Sequence, residues 1–283
     1  MDTWVFISGA SGGLGKAFAA ECASRGWNLL LSDIDERKLA VLAGGLRAAY
    51  QARVDWIACD LSDPAGRASL FETLDAGGYR FWALINVAGL DHEGAFLERT
   101  REQIRTILRV NIEATVEVTH ALLERRDPQR RLRIITVASL AAFQPMPVKA
   151  TYAASKRFLV DFSLALREEL RPLNASVTVL CPAGLATTPE TIRGIAVQGW
   201  LGQITTQDIG WVANRTLNAA LRGQALVIPG AANVLLRWLG GLLPAEWTAA
   251  LVGQRWQKAH NARAATDALP TAAPPRAGWF KRW

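Results

Sequence analysis

The sequence predicts a single α/β domain built on a doubly wound parallel sheet, with a helical extension at its C-terminal end. Three observations predict this fold. Short apolar or β-branched runs alternate with longer segments of helical periodicity. A glycine-rich turn joins the first strand to the first helix. The composition, 50% hydrophobic and 20% charged, is that of a folded globular protein. Such alternation is typical of a parallel sheet with helices on both faces.

Seven strands are predicted, and six helical stretches connect them. The strands lie near Trp4–Ile7, Asn28–Ser32, Val54–Cys59, Trp82–Asn86, Leu132–Ala138, Ser176–Cys181 and Leu226–Ile228. The helices lie near Gly13–Arg25, Glu36–Ala48, Pro64–Leu74, Arg101–Arg125, Tyr152–Leu170 and Thr206–Arg222. In a doubly wound sheet, ligands bind beyond the carboxyl ends of the strands. The residues that follow the strands are therefore the candidates for a functional site.

The turn after the first strand has the composition of a dinucleotide-binding turn. It reads Ser8-Gly9-Ala10-Ser11-Gly12-Gly13-Leu14-Gly15, and its glycines let the backbone approach a pyrophosphate at a helix N-terminus. A P-loop is the competing interpretation, but Ala10 stands where that motif needs glycine and Ala17 offers no hydroxyl to Mg²⁺. A purely structural turn is the other alternative. The cofactor-binding residues predicted here are Gly9, Ser11, Gly13, Leu14 and Gly15.

The second strand ends at Asp33, about 20 residues beyond the glycines, as in a Rossmann-type sheet of strand order 3-2-1-4-5-6-7. A carboxylate there accepts hydrogen bonds from the adenosine ribose and repels a 2′-phosphate, and Ile34 supplies no compensating cation. We therefore expect NAD(H) to be preferred over NADP(H). The alternative role is helix capping, for which Asp35 is better placed.

The third and fourth strands end in further candidate cofactor ligands. Asp60 and Leu61 follow the third strand, where they could meet the adenine. The run Asn86-Val87-Ala88-Gly89 closes the fourth strand, and it contributes Asn86, Ala88 and Gly89 to the predicted cofactor site.

Tyr152 and Lys156 are candidates for proton transfer. They lie four residues apart and hence on one helix face, although this spacing alone is common on protein surfaces. A free tyrosine titrates near pH 10, and a neighbouring cation lowers that pKa. Ser139 ends the fifth strand at the same sheet edge, where its hydroxyl could hold a substrate oxygen or merely form a turn.

These motifs together resemble the short-chain dehydrogenase/reductase superfamily, in the branch with subunits of roughly 250 residues. The resemblance covers residues 1–230 and rests on the SGASGGLG turn, Asp60, Asn86–Gly89, Asn111 in VNI, and Ser139 with YAASK. It implies hydride transfer between a nicotinamide dinucleotide and a secondary alcohol or ketone. It also implies four catalytic roles: Tyr152 as the acid/base, Ser139 orienting the substrate, Lys156 binding the nicotinamide ribose and lowering the tyrosine pKa, and Asn111 supporting a water relay.

Two departures from the family pattern stand out. Ser8 replaces the usual threonine but keeps the hydroxyl. Residues 182–187 read Pro-Ala-Gly-Leu-Ala-Thr where the family commonly has Pro-Gly-x-Val-x-Thr, with Pro182 and Thr187 as predicted cofactor contacts. A dinucleotide-binding sensor on the same fold is the alternative function, but such a protein is expected to lose Tyr152 or Lys156.

Charge and cysteine content restrict the partners. Of the net charge of +7, +5 lies between Arg237 and the C-terminus, so a solvated basic tail is favoured and nucleic acid is not an expected partner. The three cysteines are far apart, without metal-ligand spacing, which favours a reduced cytoplasmic compartment and no metal site. No run of about 18 apolar residues predicts a membrane span, and no signal peptide is predicted.

The last residues predict an addition to the dehydrogenase domain. Residues 231–260 are expected to form an amphipathic helical extension that packs on the body beside residues 184–205 and shapes an apolar substrate site. Residues 261–283 are expected to be a disordered tail, whose aromatic and basic end makes weak contact with a membrane surface or a partner. The expected substrate is a small, lipophilic alcohol or ketone, and the resemblance implies a homodimer or homotetramer.

Overall fold

A computed structural model describes residues 3–185 and 205–254. It contains seven parallel strands in the order β3-β2-β1-β4-β5-β6-β7, which confirms the predicted fold class and strand order. The strands are β1 (Trp4–Ser8), β2 (Asn28–Asp33), β3 (Val54–Ala58), β4 (Phe81–Asn86), β5 (Leu132–Val137), β6 (Ala175–Leu180) and β7 (Leu226–Val227). Each differs from its predicted range by at most one residue at either end.

Helices cover both faces of this sheet. They are α1 (Gly13–Ser24), α2 (Glu36–Tyr50), α3 (Pro64–Ala76), α4 (Arg101–Leu108), α5 (Thr115–Glu124), α6 (Ala150–Glu169), α7 (Ile209–Leu221) and α8 (Ala231–Gly241). Helix α7 begins three residues later than predicted because the Asp208 carboxylate caps it, accepting a 2.7 Å hydrogen bond from the Trp211 amide.

The central strands are buried on both sides, as their uninterrupted apolar sequences predict. All five residues of β1 are buried. Val5 and Ile7 join the core under α1 and α2, whereas Trp4 and Phe6 join the core on the opposite face. The two-sided burial fixes the register of β1 and thereby the position of the turn that follows it.

The prediction of one continuous helix over Arg101–Arg125 is wrong. Residues Arg109–Ala114 form a π-helical segment between α4 and α5, and Asn111 lies within it. A π segment inserts an extra residue into the helical repeat and commonly occurs at functional sites. Helical periodicity could not reveal this insertion, because the residues on both sides of it have helical patterns.

The extension contacts the body through small and polar residues. The buried Asn233 amide donates to the Pro229 carbonyl at 2.7 Å. The Arg237 guanidinium lies 4.7 Å from the Phe143 ring centroid, and a Cβ on Gly253 would lie 2.9 Å from Pro147. Most of the large apolar side chains of the extension are exposed instead. The domain boundaries stay a prediction, and residues 186–204 and 255–283 lie outside the described ranges.

Candidate active site

The glycine turn is pressed against two neighbouring segments. Gly9 has a φ of +65°, a left-handed conformation that suits glycine, and a Cβ there would lie 2.6 Å from the Ala88 amide nitrogen. A Cβ on Gly15 would overlap the Gly9 carbonyl oxygen. The structure thus brings Gly9, Gly15 and Ala88 together, while Gly13 and the buried Leu14 begin α1.

Ser8, which stands where the family commonly has threonine, keeps the hydrogen bonds that a hydroxyl can make at this position. Ser8 Oγ accepts hydrogen bonds from the amides of Val87 and Ala88 at 3.3 and 3.4 Å. These bonds link the end of β1 to the end of β4. The replacement of threonine by serine therefore leaves this linkage intact.

Asp33 links the end of β2 to the glycine turn. Its Oδ2 atom accepts a 2.9 Å hydrogen bond from the Ser11 amide, and its Oδ1 atom lies 3.4 Å from the Asp35 amide. Asp35, and not Asp33, caps α2 by accepting from the Lys38 amide at 3.0 Å. The capping alternative for Asp33 is therefore wrong, and its carboxylate lies at the turn where a ribose is expected.

Other predicted cofactor residues make protein contacts. Asp60 is exposed and accepts from the Ser62 amide at 2.8 Å, whereas Leu61 is buried in the core beneath the sheet. The Asn86 side chain donates a buried 2.9 Å hydrogen bond to Thr119, so its amide ties β4 to α5. These contacts leave the cofactor roles of all three residues as predictions.

Two further predicted contacts follow β6. Pro182 is buried, and its carbonyl accepts a 2.8 Å hydrogen bond from the Leu140 amide. This bond joins the end of β6 to the turn that follows Ser139. Thr187, the other predicted cofactor contact in this stretch, lies outside the described residues.

The catalytic candidates lie together at the carboxyl edge of β4, β5 and β6. The Tyr152 side chain is half-buried and its phenol is hydrogen-bonded to Ser139, whose Oγ atom accepts from the Ala141 amide at 3.1 Å. Lys156 Nζ lies 5.8 Å from the Tyr152 ring centroid and donates to the Val137 carbonyl at 3.0 Å. Residues that are far apart in sequence thus place a hydroxyl, a phenol and an ammonium at one point.

Asn111 is held rigidly beside this group. Its amide donates to the Leu90 carbonyl at 3.0 Å and to Ser155 Oγ at 2.9 Å, and its Oδ1 atom accepts from the Leu90 amide at 2.9 Å. A Cβ on Gly89 would lie 2.9 Å from Lys156 Nζ and 3.3 Å from Asn111 Oδ1. Gly89 therefore allows the β4 end to approach both side chains.

Burial dominates the electrostatics of the reactive pair. It raises the pKa of Tyr152 above its usual value, although the Ser139 hydrogen bond and the Lys149 charge oppose the rise. Burial lowers the pKa of Lys156 to about 8. The pKa of Tyr152 is therefore raised in this structure and not lowered as expected, because burial outweighs the Ser139 hydrogen bond and the Lys149 charge. The phenol is protonated at neutral pH.

A second ammonium near Tyr152 was missed by the sequence analysis. Lys149 Nζ lies 5.7 Å from the Tyr152 ring centroid, 2.6 Å from Asp91 Oδ2 and 3.0 Å from Glu93 Oε2. Burial opposes its charge, but the two carboxylates raise the pKa of Lys149 overall. The polar run Asp91-His92-Glu93 was a visible signal, whereas its partner, more than fifty residues away, could not be inferred without the fold.

Lys149 of this ionic cluster lines a cavity together with Tyr152. The cavity has a volume of about 190 Å³, and its lining includes Tyr152, Lys149, Phe96, Ile107 and Pro147. The neighbouring Val148 has a φ of +61°, which is strained for a β-branched residue. Strain of this kind accumulates at functional sites, where the surrounding structure enforces it. The cavity is a candidate substrate site.

The sheet and this constellation define a class of protein: dinucleotide-binding oxidoreductases with a serine–tyrosine–lysine site. The chain matches the model of the short chain dehydrogenase family over residues 3–193. It belongs to this family, whose members bind NAD(P). Within the described residues, no cluster of His, Cys, Asp and Glu side chains is suited to a metal ion.

Curated relatives match the chain over part of their length. The very-long-chain 3-oxoacyl-CoA reductase of Phaeosphaeria nodorum is 33% identical over 195 residues, which cover 68% of this chain and 57% of that protein. The chain thus spans just under three fifths of the length of this relative.

Solved structures of similar proteins cover more of the chain. A short-chain dehydrogenase from Sphingobium yanoikuyae in complex with NADPH is 26% identical, with a TM-score of 0.73, covering 98% of this chain and 100% of that one. A short-chain dehydrogenase/reductase from Burkholderia phymatum in complex with NAD is 25% identical, with a TM-score of 0.74, covering 84% and 92%. Both nicotinamide cofactors therefore occur among similar structures.

Proposed function

We propose that this protein interconverts a secondary alcohol and a ketone by hydride transfer with a nicotinamide dinucleotide, using Tyr152 as the acid/base. One observation carries the proposal. The half-buried Tyr152 side chain has its phenol hydrogen-bonded to Ser139, and its ring centroid lies 5.8 Å from Nζ of the buried Lys156. A surface Tyr-x-x-x-Lys pair would have neither a buried lysine nor a serine partner.

In this mechanism, Ser139 and Tyr152 hold the substrate oxygen between two hydroxyl groups. The bound nicotinamide supplies the hydride chemistry. Because burial raises the pKa of Tyr152, its phenol carries the proton that a reduced carbonyl oxygen takes up. Lys156 binds the nicotinamide ribose, and Asn111 is the predicted support of a water relay that brings a proton from solvent back to Tyr152 after the carbonyl is reduced. The protonated phenol favours ketone reduction as the reaction to assay first.

The proposed substrate is a lipophilic ketone. Support comes from the aromatic and aliphatic walls of the cavity beside Tyr152, formed by Phe96 and Ile107. The curated relatives named as 3-oxoacyl-CoA reductases make 3-oxoacyl thioesters a reasonable first substrate class. These thioesters carry a ketone on an apolar chain, which matches the proposed chemistry.

The function is tested by a substrate screen with purified protein. NADH and NADPH are each supplied with 3-oxoacyl thioesters and bulky aromatic ketones, and loss of reduced-nicotinamide absorbance is recorded together with the alcohol product. The proposal predicts turnover of at least one ketone. Tight nucleotide binding with no turnover on any ketone or on the matching alcohols would contradict it and favour the dinucleotide sensor.

We propose that NAD(H) is preferred over NADP(H). The support is the position of Asp33, whose carboxylate is fixed by the Ser11 amide at the turn, with the exposed and uncharged Ile34 beside it. A 2′-phosphate at this position would meet a carboxylate without a compensating cation.

The double substitution Asp33→Asn with Ile34→Arg should reverse this preference, because it removes the repelling carboxylate and adds a phosphate-binding cation. We expect the ratio of kcat/KM for NADH over NADPH to fall by at least about ten-fold. Ile34→Arg alone serves as the control for the added charge. An unmodified protein with the higher kcat/KM for NADPH would contradict the assignment.

We further propose a reduced cytoplasmic compartment and a homodimeric or homotetrameric assembly. The three cysteines, Cys22, Cys59 and Cys181, are buried free thiols, which suits a reducing compartment. The assembly is expected through the helices that carry Asn111 and Tyr152, and the exposed Leu108 and Phe158 on them support this expectation. Weak membrane-surface contact through residues 261–283 also stays a proposal, since those residues lie outside the described ranges.

A further inference from the structure

The helical extension exposes many large apolar side chains. Helix α8 and the helical stretch 245–254 leave Trp238 65% exposed and Leu242 74% exposed. We define the extension face as the exposed residues Leu235, Trp238, Leu239, Leu242, Trp247 and Leu251. Isolated exposed leucines are ordinary on protein surfaces, but clustered tryptophan and leucine on adjoining helices mark an interaction site.

An arginine-rich cavity lies immediately beside the extension face. It has a volume of about 280 Å³, and its lining combines Arg215, Arg222 and Arg237 with Gln224 and apolar residues that include Val234 of α8. In the described part of the chain, none of these arginines has a carboxylate partner; Arg215 lies over Trp211 and Arg237 lies over Phe143. Three arginines without a described carboxylate partner in the lining of one open cavity are suited to an anion.

We propose that the extension face docks this protein onto an anionic membrane surface, with the arginine-lined cavity holding lipid phosphate groups. Exposed Trp and Leu side chains enter the layer between headgroups and acyl chains, and adjacent arginines meet the phosphates. The sequence from Arg237 onward carries a net charge of +5, which also favours an anionic surface. Attachment is interfacial: among the described helices, none is long and apolar enough to cross a bilayer.

Charge argues against a second copy of the chain as the occupant. In a two-fold interface, the same patch faces itself, so the arginine cavity of one protomer would approach that of the other. In the described part of the extension, Glu246 is the one carboxylate that could offset this repulsion. An anionic bilayer complements both the apolar and the cationic parts of the surface.

The test is vesicle flotation of the full-length protein. One set of vesicles is phosphatidylcholine alone, and the other contains phosphatidylcholine with phosphatidylglycerol. We expect flotation with the anionic set, reduced several-fold at high salt because the charges are screened. The face variant carries Leu235→Ser, Trp238→Ser and Leu242→Ser, which alter exposed residues and so leave the core unchanged. Its partition coefficient should fall at least about ten-fold.

A second test variant removes charge from the arginine-lined cavity, and each of the two test variants has a matched control. Val41→Ser changes an exposed apolar residue on α2 and should float like the wild type. Arg215→Gln with Arg222→Gln should weaken binding several-fold on the anionic set only, whereas Arg101→Gln with Arg131→Gln, of equal net charge, should have little effect. Circular dichroism and thermal unfolding establish that every variant is folded.

Three outcomes would overturn the proposal. The first is absence of flotation with either vesicle set. The second is equal flotation of the face variant and the wild type, which would place attachment elsewhere in the chain. The third is a face variant that changes from dimer to monomer in light scattering while the wild type does not bind vesicles, because the face would then join two copies.

Discussion

Two lysines flank the same tyrosine, and their surroundings shift their pKa values in opposite directions. Lys156 is buried with a carbonyl acceptor and, among the described residues, no carboxylate contact, so burial lowers its pKa to about 8. Lys149 is half-buried, and Asp91 and Glu93 raise its pKa overall. The sequence predicted that a lysine lies near Tyr152, yet it could not predict these pKa directions, because they depend on what the fold places around each ammonium.

The low pKa of Lys156 predicts pH-dependent cofactor binding. If its ammonium binds the nicotinamide ribose, the dissociation constant for NADH should rise above about pH 8, by up to about ten-fold per pH unit, as the ammonium loses its proton. Fluorescence titration of the protein with NADH across the neutral and alkaline range measures this. Lys156→Arg, which stays charged, should remove the pH dependence.

The pH dependence of protein stability runs in the opposite direction to that of NADH binding. Between about pH 8 and pH 10.5, the unfolded chain holds the Lys156 proton more tightly than the folded protein does, so this group makes the folded state relatively more stable as pH rises. A dissociation constant that stays constant through pH 8 would contradict the assigned role of Lys156.

At the scale of elements, the turns that hold the site depend on close backbone contacts. The glycine turn was predicted from composition and position, and the structure shows the reason for two of its glycines: Gly9 lies against Ala88, and Gly15 lies against Gly9. The π segment that carries Asn111 was not predictable, because the bonds that stabilise it come from Leu90 and Ser155, which are distant in sequence.

Gly15→Ala should damage the turn, since the added methyl group would overlap the Gly9 carbonyl. We expect a loss of about 1–3 kcal/mol in the free energy of unfolding and at least about ten-fold weaker NADH binding. Denaturant unfolding and NADH titration provide the two measurements.

Gly45→Ala is the matched control. Gly45 lies inside α2 with open space around its Cβ position, so alanine should stabilise the protein by about 0.5–1 kcal/mol and leave NADH binding unchanged. Equal effects of the two substitutions would show that close packing at Gly15 is not what the turn requires.

At the scale of the whole molecule, the alternation of elements predicted a doubly wound sheet, and the resemblance to the short-chain dehydrogenase/reductase superfamily implied the strand order, which the structure confirms. The exposure of the apolar face of the extension could not be predicted from the sequence. Periodicity showed that Leu235, Trp238 and Leu242 share a helix face, but it could not show whether the body covers that face. In the structure the body contacts α8 through Asn233 and Arg237. The side chains of Leu235, Trp238 and Leu242 stay exposed.

The parallel arrangement of the strands also assembles the candidate active site, because the strands end at one edge of the sheet. Parallel strands β4 and β5 deliver Gly89, Ser139 and the Val137 carbonyl that supports Lys156 to one edge, and α6 adds Tyr152 and Lys156. The central claim is that this assembly makes Tyr152 the proton-transfer group. It concerns one atom, the phenol oxygen, which a single substitution removes.

The most direct test is Tyr152→Phe, assayed with the best ketone from the substrate screen. Removal of the phenol oxygen should lower kcat by at least about a thousand-fold, because the developing alkoxide loses its proton donor. NADH affinity should stay within a few-fold of the wild type, as measured by fluorescence titration. A Tyr152→Phe variant that keeps near-normal kcat across the neutral pH range would contradict the account.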